Sequence, residues 1–140
     1  MVEVNWIAVL LAAISTMVVG SIWYSKAGFY KQWASLAKVK PDLDFTAKKA
    51  ALMYGSVFIA SLVSAFVLAH VAMLSNNFFQ NSFLQDSVTT AFWVWLGFTA
   101  LRMFTHDVFE GRRKQLTVLN ATHELVTFLV MGLIIGLLPL

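Results

Sequence analysis

Asn120, His123, Glu124 and Thr127 stand within an otherwise apolar run covering residues 116–138. At helical spacing Asn120, Glu124 and Thr127 share one face, and His123 lies beside it. If the run crosses a bilayer, each ionisable group in it costs about 2.5 to 3.5 kcal/mol on insertion scales, which calls for a functional account. Glu124 sits roughly 13 Å, or about nine residues, inside its run, too deep to reach headgroups easily. It needs a partner or a proton. A second run, 87–104, returns through a short polar turn, and the antiparallel pairing brings Arg102 and His106 to a similar depth. The spacing predicts an Arg102–Glu124 ion pair.

Two readings compete for this cluster of Arg102, His106, Asn120, His123 and Glu124. Histidine and a carboxylate in a low-dielectric site can change charge near neutral pH, which makes a proton-titratable pocket suited to coupled transport. The same residues can instead form a satisfied polar clasp between two helices, since buried charges persist in lipid only when paired. His106, Glu110, His123 and Glu124 are ligand types that suit zinc or manganese, yet no tight ligand spacing is present, so neither a metal nor another cofactor is expected. His70 reads as an interfacial hydrogen-bonding group. Asp86, just before the run 87–104, reads as a helix-start acid favoured by the helix dipole. No Gly-x-Ser-x-Gly elbow, phosphate loop, dinucleotide fingerprint or His-Glu-x-x-His occurs, and the chain is expected not to be an enzyme.

The elements that position these groups follow from composition. Of 140 residues, 59% are apolar and 12% charged, too little polar material to cover a water-soluble globule. The mean hydropathy of +0.75 agrees. With no cysteine, disulfides and thiolate chemistry are excluded. Crossing roughly 30 Å of hydrocarbon takes about 20 helical residues, and four runs meet that length: 4–24, 50–74, 87–104 and 116–138. Because the runs are continuous and do not alternate, helices are predicted over a barrel. The fold class is therefore all-α, an integral membrane four-helix bundle in a single domain, 1–140.

Every Lys and Arg lies between the first and second runs (Lys26, Lys31, Lys38, Lys40, Lys48, Lys49) or near the last turn (Arg102, Arg112, Arg113, Lys114). The positive-inside rule then puts both basic segments in the cytoplasm and both termini on the other side. Glu3 stands where a signal peptide would carry a basic region, so the first span is expected to be retained. Topology and anionic headgroups account for the net charge of +3 without a nucleic-acid partner. Trp6, Trp23, Tyr24 and Trp33 read as interface anchors. Phe29, Trp33, Leu36 and Ala37 share one face, predicting a short interfacial helix over about 28–40, ended by Pro41 and Asp42. Asp44 or Thr46 can cap the second span.

Small residues mark contact seams: Ala8, Ala12, Thr16 and Gly20 in the first span, Ser56, Ala60 and Ser64 or Ser61, Ala65 and Ala69 in the second, and Gly132 with Gly136 in the fourth. So many seams in so short a chain point towards a homo-oligomer.

The pieces Asn5-Trp6, Gly20-Ser-Ile-Trp-Tyr-Ser25, Trp33, Phe109-Glu-Gly-Arg112, Asn120 and His123 together resemble a bacterial family of small four-span membrane proteins, domain of unknown function 1761. The resemblance covers nearly the whole chain and implies the fold and a bacterial inner-membrane location. That family tends to place an aromatic residue before the histidine, where Thr122 stands here, and Glu124 is a local addition, so the resemblance implies nothing for Glu124. The function expected is movement of a small, unidentified solute or proton through a homo-oligomer in the lipid bilayer. The alternative is a structural or accessory membrane subunit with no solute path. A lipid- or metal-binding enzyme is a third.

Overall fold

The computed structural model describes residues 3–40 and 44–140. They form helices α1 (Trp6–Trp23), α2 (Tyr30–Ala37), α3 (Ala47–Phe79), α4 (Phe83–Val94), α5 (Leu101–Phe109) and α6 (Lys114–Leu137), with a π-helical stretch, Trp95–Ala100, joining α4 to α5. No strand occurs among the described residues. By length and composition α1, α3 and α6 can each cross a membrane. The predicted run 87–104 falls on α4, the π-helical stretch and the start of α5, which form one helical rod of three shorter parts.

Polar side chains start the helices. The Asn5 carboxamide oxygen accepts from the backbone N–H groups of Ile7 and Ala8 at 3.0 and 3.2 Å, filling two of the donors an α-helix leaves unpaired. Thr46, one of the two expected caps, accepts from the Lys49 N–H, and Ser82 caps α4 by accepting from the Gln85 N–H. The short helix α2 falls inside 28–40 and ends where Lys38 turns left-handed, at φ 52°. Pro41 and Asp42, expected to end it, lie outside the described residues.

Each long helix runs antiparallel to its neighbours. Trp6 stacks on Phe66 with ring centroids 5.2 Å apart, while Thr16 donates to Ser61 at 2.8 Å, so α1 and α3 run in opposite directions. The Asn5 amide donates to the carbonyls of Leu138 and Pro139, and the Tyr24 hydroxyl donates to Asn120, which fixes α6 against α1. Contacts of α4 with α3 and α6 close the ring. The start of α1 and the end of α6 therefore meet at one end of the bundle, and the described lysines and arginines fall towards the other.

The end carrying the termini is packed through small residues. A Cβ on Gly132 would lie 2.7 Å from the Ala91 Cβ and 2.9 Å from the Ser87 carbonyl, and one on Gly136 would lie 2.6 Å from the Leu84 Cα. The Gly132 and Gly136 seam thus brings α6 against the backbone of α4 within one chain, where close van der Waals contact supplies the attraction that lipid denies to greasy side chains. Ala8 and Ala12 of α1, with Ala65 and Ala69 of α3, are buried in the same core. By contrast Ser56, Ala60 and Ser64 are exposed.

Towards the basic end the helices part. Residues 51–57 of α3 are exposed, leaving space between that helix, α1 and α6.

Candidate functional site

That space is a partly open cleft of about 760 Å³ beside His123 and Glu124. Thr16, Gly20 and Tyr24 line it from α1, Tyr54 and Ser61 from α3, and His123, Glu124 and Thr127 from α6; Tyr30 and Trp33 close the basic end. Methionines and apolar groups, Met17, Met53, Val57, Phe128 and Met131, make much of the remaining wall.

His123 is largely covered, its side chain 12% exposed. Its Nδ1 lies 3.3 Å from Glu124 Oε1, and with Glu124 ionised that nitrogen carries the proton and donates. The other nitrogen, Nε2, is buried without a hydrogen-bond partner. It faces Gly20, where a Cβ would come within 3.7 Å. Trp23 and Tyr24 pack on the imidazole with ring centroids 5.8 and 5.0 Å away, and Tyr24 also meets Trp33 edge-on at 5.2 Å. Trp23, Tyr24 and Trp33, expected as interface anchors, are thus half-buried rings gathered around His123, whereas Trp6 stays largely exposed. The Glu124 side chain is 35% exposed.

Asn120 stands one turn away on α6. Its carboxamide oxygen accepts from the Tyr24 hydroxyl at 3.2 Å, so it ties the end of α1 to α6.

Arg102 and His106 do not join this group. Both are exposed, and the expected Arg102–Glu124 ion pair does not form; the ionic partner of Glu124 is His123. The cause is the π-helical stretch, where the Leu101 N–H donates to the Leu96 carbonyl five residues back. One extra residue in a turn rotates everything after it by about 100°. The rotation turns Arg102 and His106 outward.

Asp107 takes the inward position. It is buried, and the Thr117 hydroxyl donates to its carboxylate at 2.6 Å, while Arg112 Nε lies 3.6 Å from its other oxygen. Glu110 accepts from the same Nε at 2.7 Å, and Gly111 turns the chain at φ 65°. A polar link between the last two helices is made by Asp107 and Thr117, neither of which belongs to the cluster expected to form a clasp. A second lock, also unforeseen, is the Trp95 indole, which donates to the Ala121 carbonyl at 2.9 Å. Asp107 and Thr117 lie five residues either side of Arg112 in the turn, a spacing compatible with their pairing across an antiparallel helical hairpin.

At the opposite end, Asp86 in the first turn of α4 accepts from Asn76 at 2.8 Å and Asn81 at 3.0 Å. These side-chain hydrogen bonds, Asn81 first, hold its carboxyl below the ordinary carboxylate range. His70 bonds to the Phe66 carbonyl at 3.1 Å. Among the described residues no three His, Asp or Glu side chains come together as a metal-holding group.

Fold and site together define a small all-helical protein with apolar helices of membrane-crossing length, packed tightly at one end and opened around a histidine–carboxylate pair at the other. The chain belongs to the family described as protein of unknown function (DUF1761), whose model matches residues 7–136. No curated protein and no solved structure matches the chain.

Proposed function

We propose that the chain is a multi-pass protein of the bacterial inner membrane that binds a small solute in the cleft and moves it together with, or in exchange for, a proton, without covalent chemistry. The run 87–104 within the rod serves as the third of four crossings, since at 1.5 Å per residue it is about 27 Å long. Lys and Arg clustered away from the termini support a cytoplasmic basic end with both termini outside. The chain works as a homo-oligomer in this proposal, in keeping with the number of small-residue seams in so short a chain.

The observation that carries the reading is the open space beside a histidine whose Nε2 is buried and unpartnered. A clasp satisfies its polar atoms, because an orphaned buried group costs about 1 to 3 kcal/mol. A proton-coupling group instead needs a free lone pair. With Nδ1 held by Glu124, a second proton at Nε2 converts the imidazole–carboxylate pair into an imidazolium–carboxylate pair, and the rings of Trp23 and Tyr24 favour the added charge.

The accessory-subunit reading draws on the satisfied bonds of Asp107 with Thr117 and of Asn120 with Tyr24. One experiment separates the two. His123→Phe and Glu124→Gln are melted in detergent and tested for proton flux in proteoliposomes beside the parent. A pH-dependent flux that is lost in variants melting like the parent supports transport. A silent parent, with both variants destabilised, supports the accessory subunit.

A further inference from the structure

We infer that the solute is a lipophilic organic monocation, held by Glu124 and the rings of Tyr24, Tyr30 and Trp33, and displaced when His123 takes a proton. This rests on the solute-binding reading of the cleft given above.

Charge selects the sign. Among the described residues Glu124 is the one carboxylate lining the cleft, and no lysine or arginine lines it. With Glu124 ionised and His123 neutral, Nδ1 donates to the carboxylate and the pair carries one net negative charge. An organic anion would meet that charge in a poorly screened space. Neutral solutes would gain nothing from a carboxylate that is costly to keep there.

The walls select the kind of cation. A small metal ion replaces its hydration shell with several oxygen or nitrogen ligands, and no such group of side chains is assembled among the described residues. Aromatic faces and thioethers suit a cation that carries its charge on a weakly hydrated, bulky body. Tyr24 and Tyr30 flank Trp33, with centroids 5.2 and 6.2 Å from it, and Met17 and Met53 supply flexible apolar surface opposite one another on α1 and α3. The volume of about 760 Å³ accommodates a molecule of several rings.

Proton competition follows from the same pair. Among the described residues, the titratable groups lining the cleft with His123 are Glu124 on its own helix, Tyr24 at the end of α1, Tyr30 at the start of α2 and Tyr54 from α3. The tyrosines are neutral near neutral pH. A proton on Nε2 therefore cancels the charge of Glu124, and the cleft exchanges one proton for one monocation.

Tetraphenylphosphonium, its neutral relative triphenylphosphine oxide and the anion tetraphenylborate are titrated calorimetrically into the full chain in lipid nanodiscs, with empty nanodiscs subtracted. The cation is expected to bind at least about tenfold more tightly than the other two, and to bind more weakly at about pH 6 than at about pH 8. Glu124→Gln should lose that preference and Glu124→Asp should retain part of it; the probe series on the unaltered chain decides the matter if either variant misfolds. Equal binding of the neutral probe, abolished by filling the cleft with Gly20→Leu, keeps the cleft as a solute site and overturns the cation. Binding of none of the three above empty nanodiscs overturns the cleft as a solute site, and this inference with it.

Discussion

Adding one methyl group at Gly132 tests how the bundle is held. A Cβ there would sit 2.7 Å from the Ala91 Cβ and 2.9 Å from the Ser87 carbonyl oxygen, and both atoms belong to the body of α4. Neither can swing aside, so α4 and α6 must separate, weakening the adjacent contact where Gly136 meets Leu84. Overpacking of this kind costs about 1 to 3 kcal/mol. Alanine also gains helix propensity over glycine, about 1 kcal/mol, which would partly mask the clash. Gly55→Ala is the control, because a Cβ there meets nothing within 4 Å. The propensity gain is common to both variants, so their difference isolates the helix contact at about 1 to 3 kcal/mol. Reversible unfolding in mixed detergent micelles, followed by tryptophan fluorescence, reads that difference. If Gly132→Ala proves as stable as Gly55→Ala, the close α4–α6 seam is wrong.

Gly20→Ala places its methyl at ordinary contact distance from His123 Nε2 and should fold and function as the parent does, whereas Gly20→Leu should fill the cleft and abolish solute-dependent flux without lowering the melting temperature. Thr117→Val leaves the buried Asp107 carboxylate without its 2.6 Å donor and should cost about 1 to 3 kcal/mol in the same unfolding assay, an effect that Asp107→Asn should reduce by relieving the charge. Asp86 has a folded pKa held below its unfolded one, so its hydrogen bonds with Asn81 and Asn76 contribute stability above about pH 4 and lose it as pH falls through the depressed folded value. Asp86→Asn should flatten that acid limb in thermal melts taken against pH.

Periodicity made the long elements legible. The four apolar runs all fall on helical segments, and the four-residue spacing of Gly132 and Gly136 marked a true contact because close approach requires small residues on one face. Thr46 was legible as a cap for the same local reason. The π-helical stretch was not: Trp-Leu-Gly-Phe-Thr-Ala carries no proline or other sign that one turn takes an extra residue. That single register change moved Arg102 and His106 out of the site and Asp107 into the α5–α6 link. His123, Glu124 and Asn120 were found because polar groups stand out in an apolar run. The cleft itself was invisible, since it arises where α3 diverges from α1 and α6, a property of three helices that no one segment encodes. Trp23, Tyr24 and Trp33 look like headgroup anchors in sequence, and nothing in their spacing signals that Trp23 and Tyr24 pack on His123 or that Trp33 packs on Tyr24.

The central claim is that water and solute reach the His123–Glu124 pair from the basic end. The chain has no cysteine, so one introduced thiol reports alone. Ser61→Cys lies in the cleft wall and Ala13→Cys in the packed core, where Ala13 is fully buried. Maleimides react with the thiolate, which forms only where water reaches the sulfur. The account predicts that a membrane-impermeant maleimide labels the Ser61→Cys protein in inside-out vesicles, spares it in right-side-out vesicles, and leaves the Ala13→Cys protein unlabelled in both. Labelling of the Ser61→Cys protein no faster than the Ala13→Cys protein from either face would contradict it.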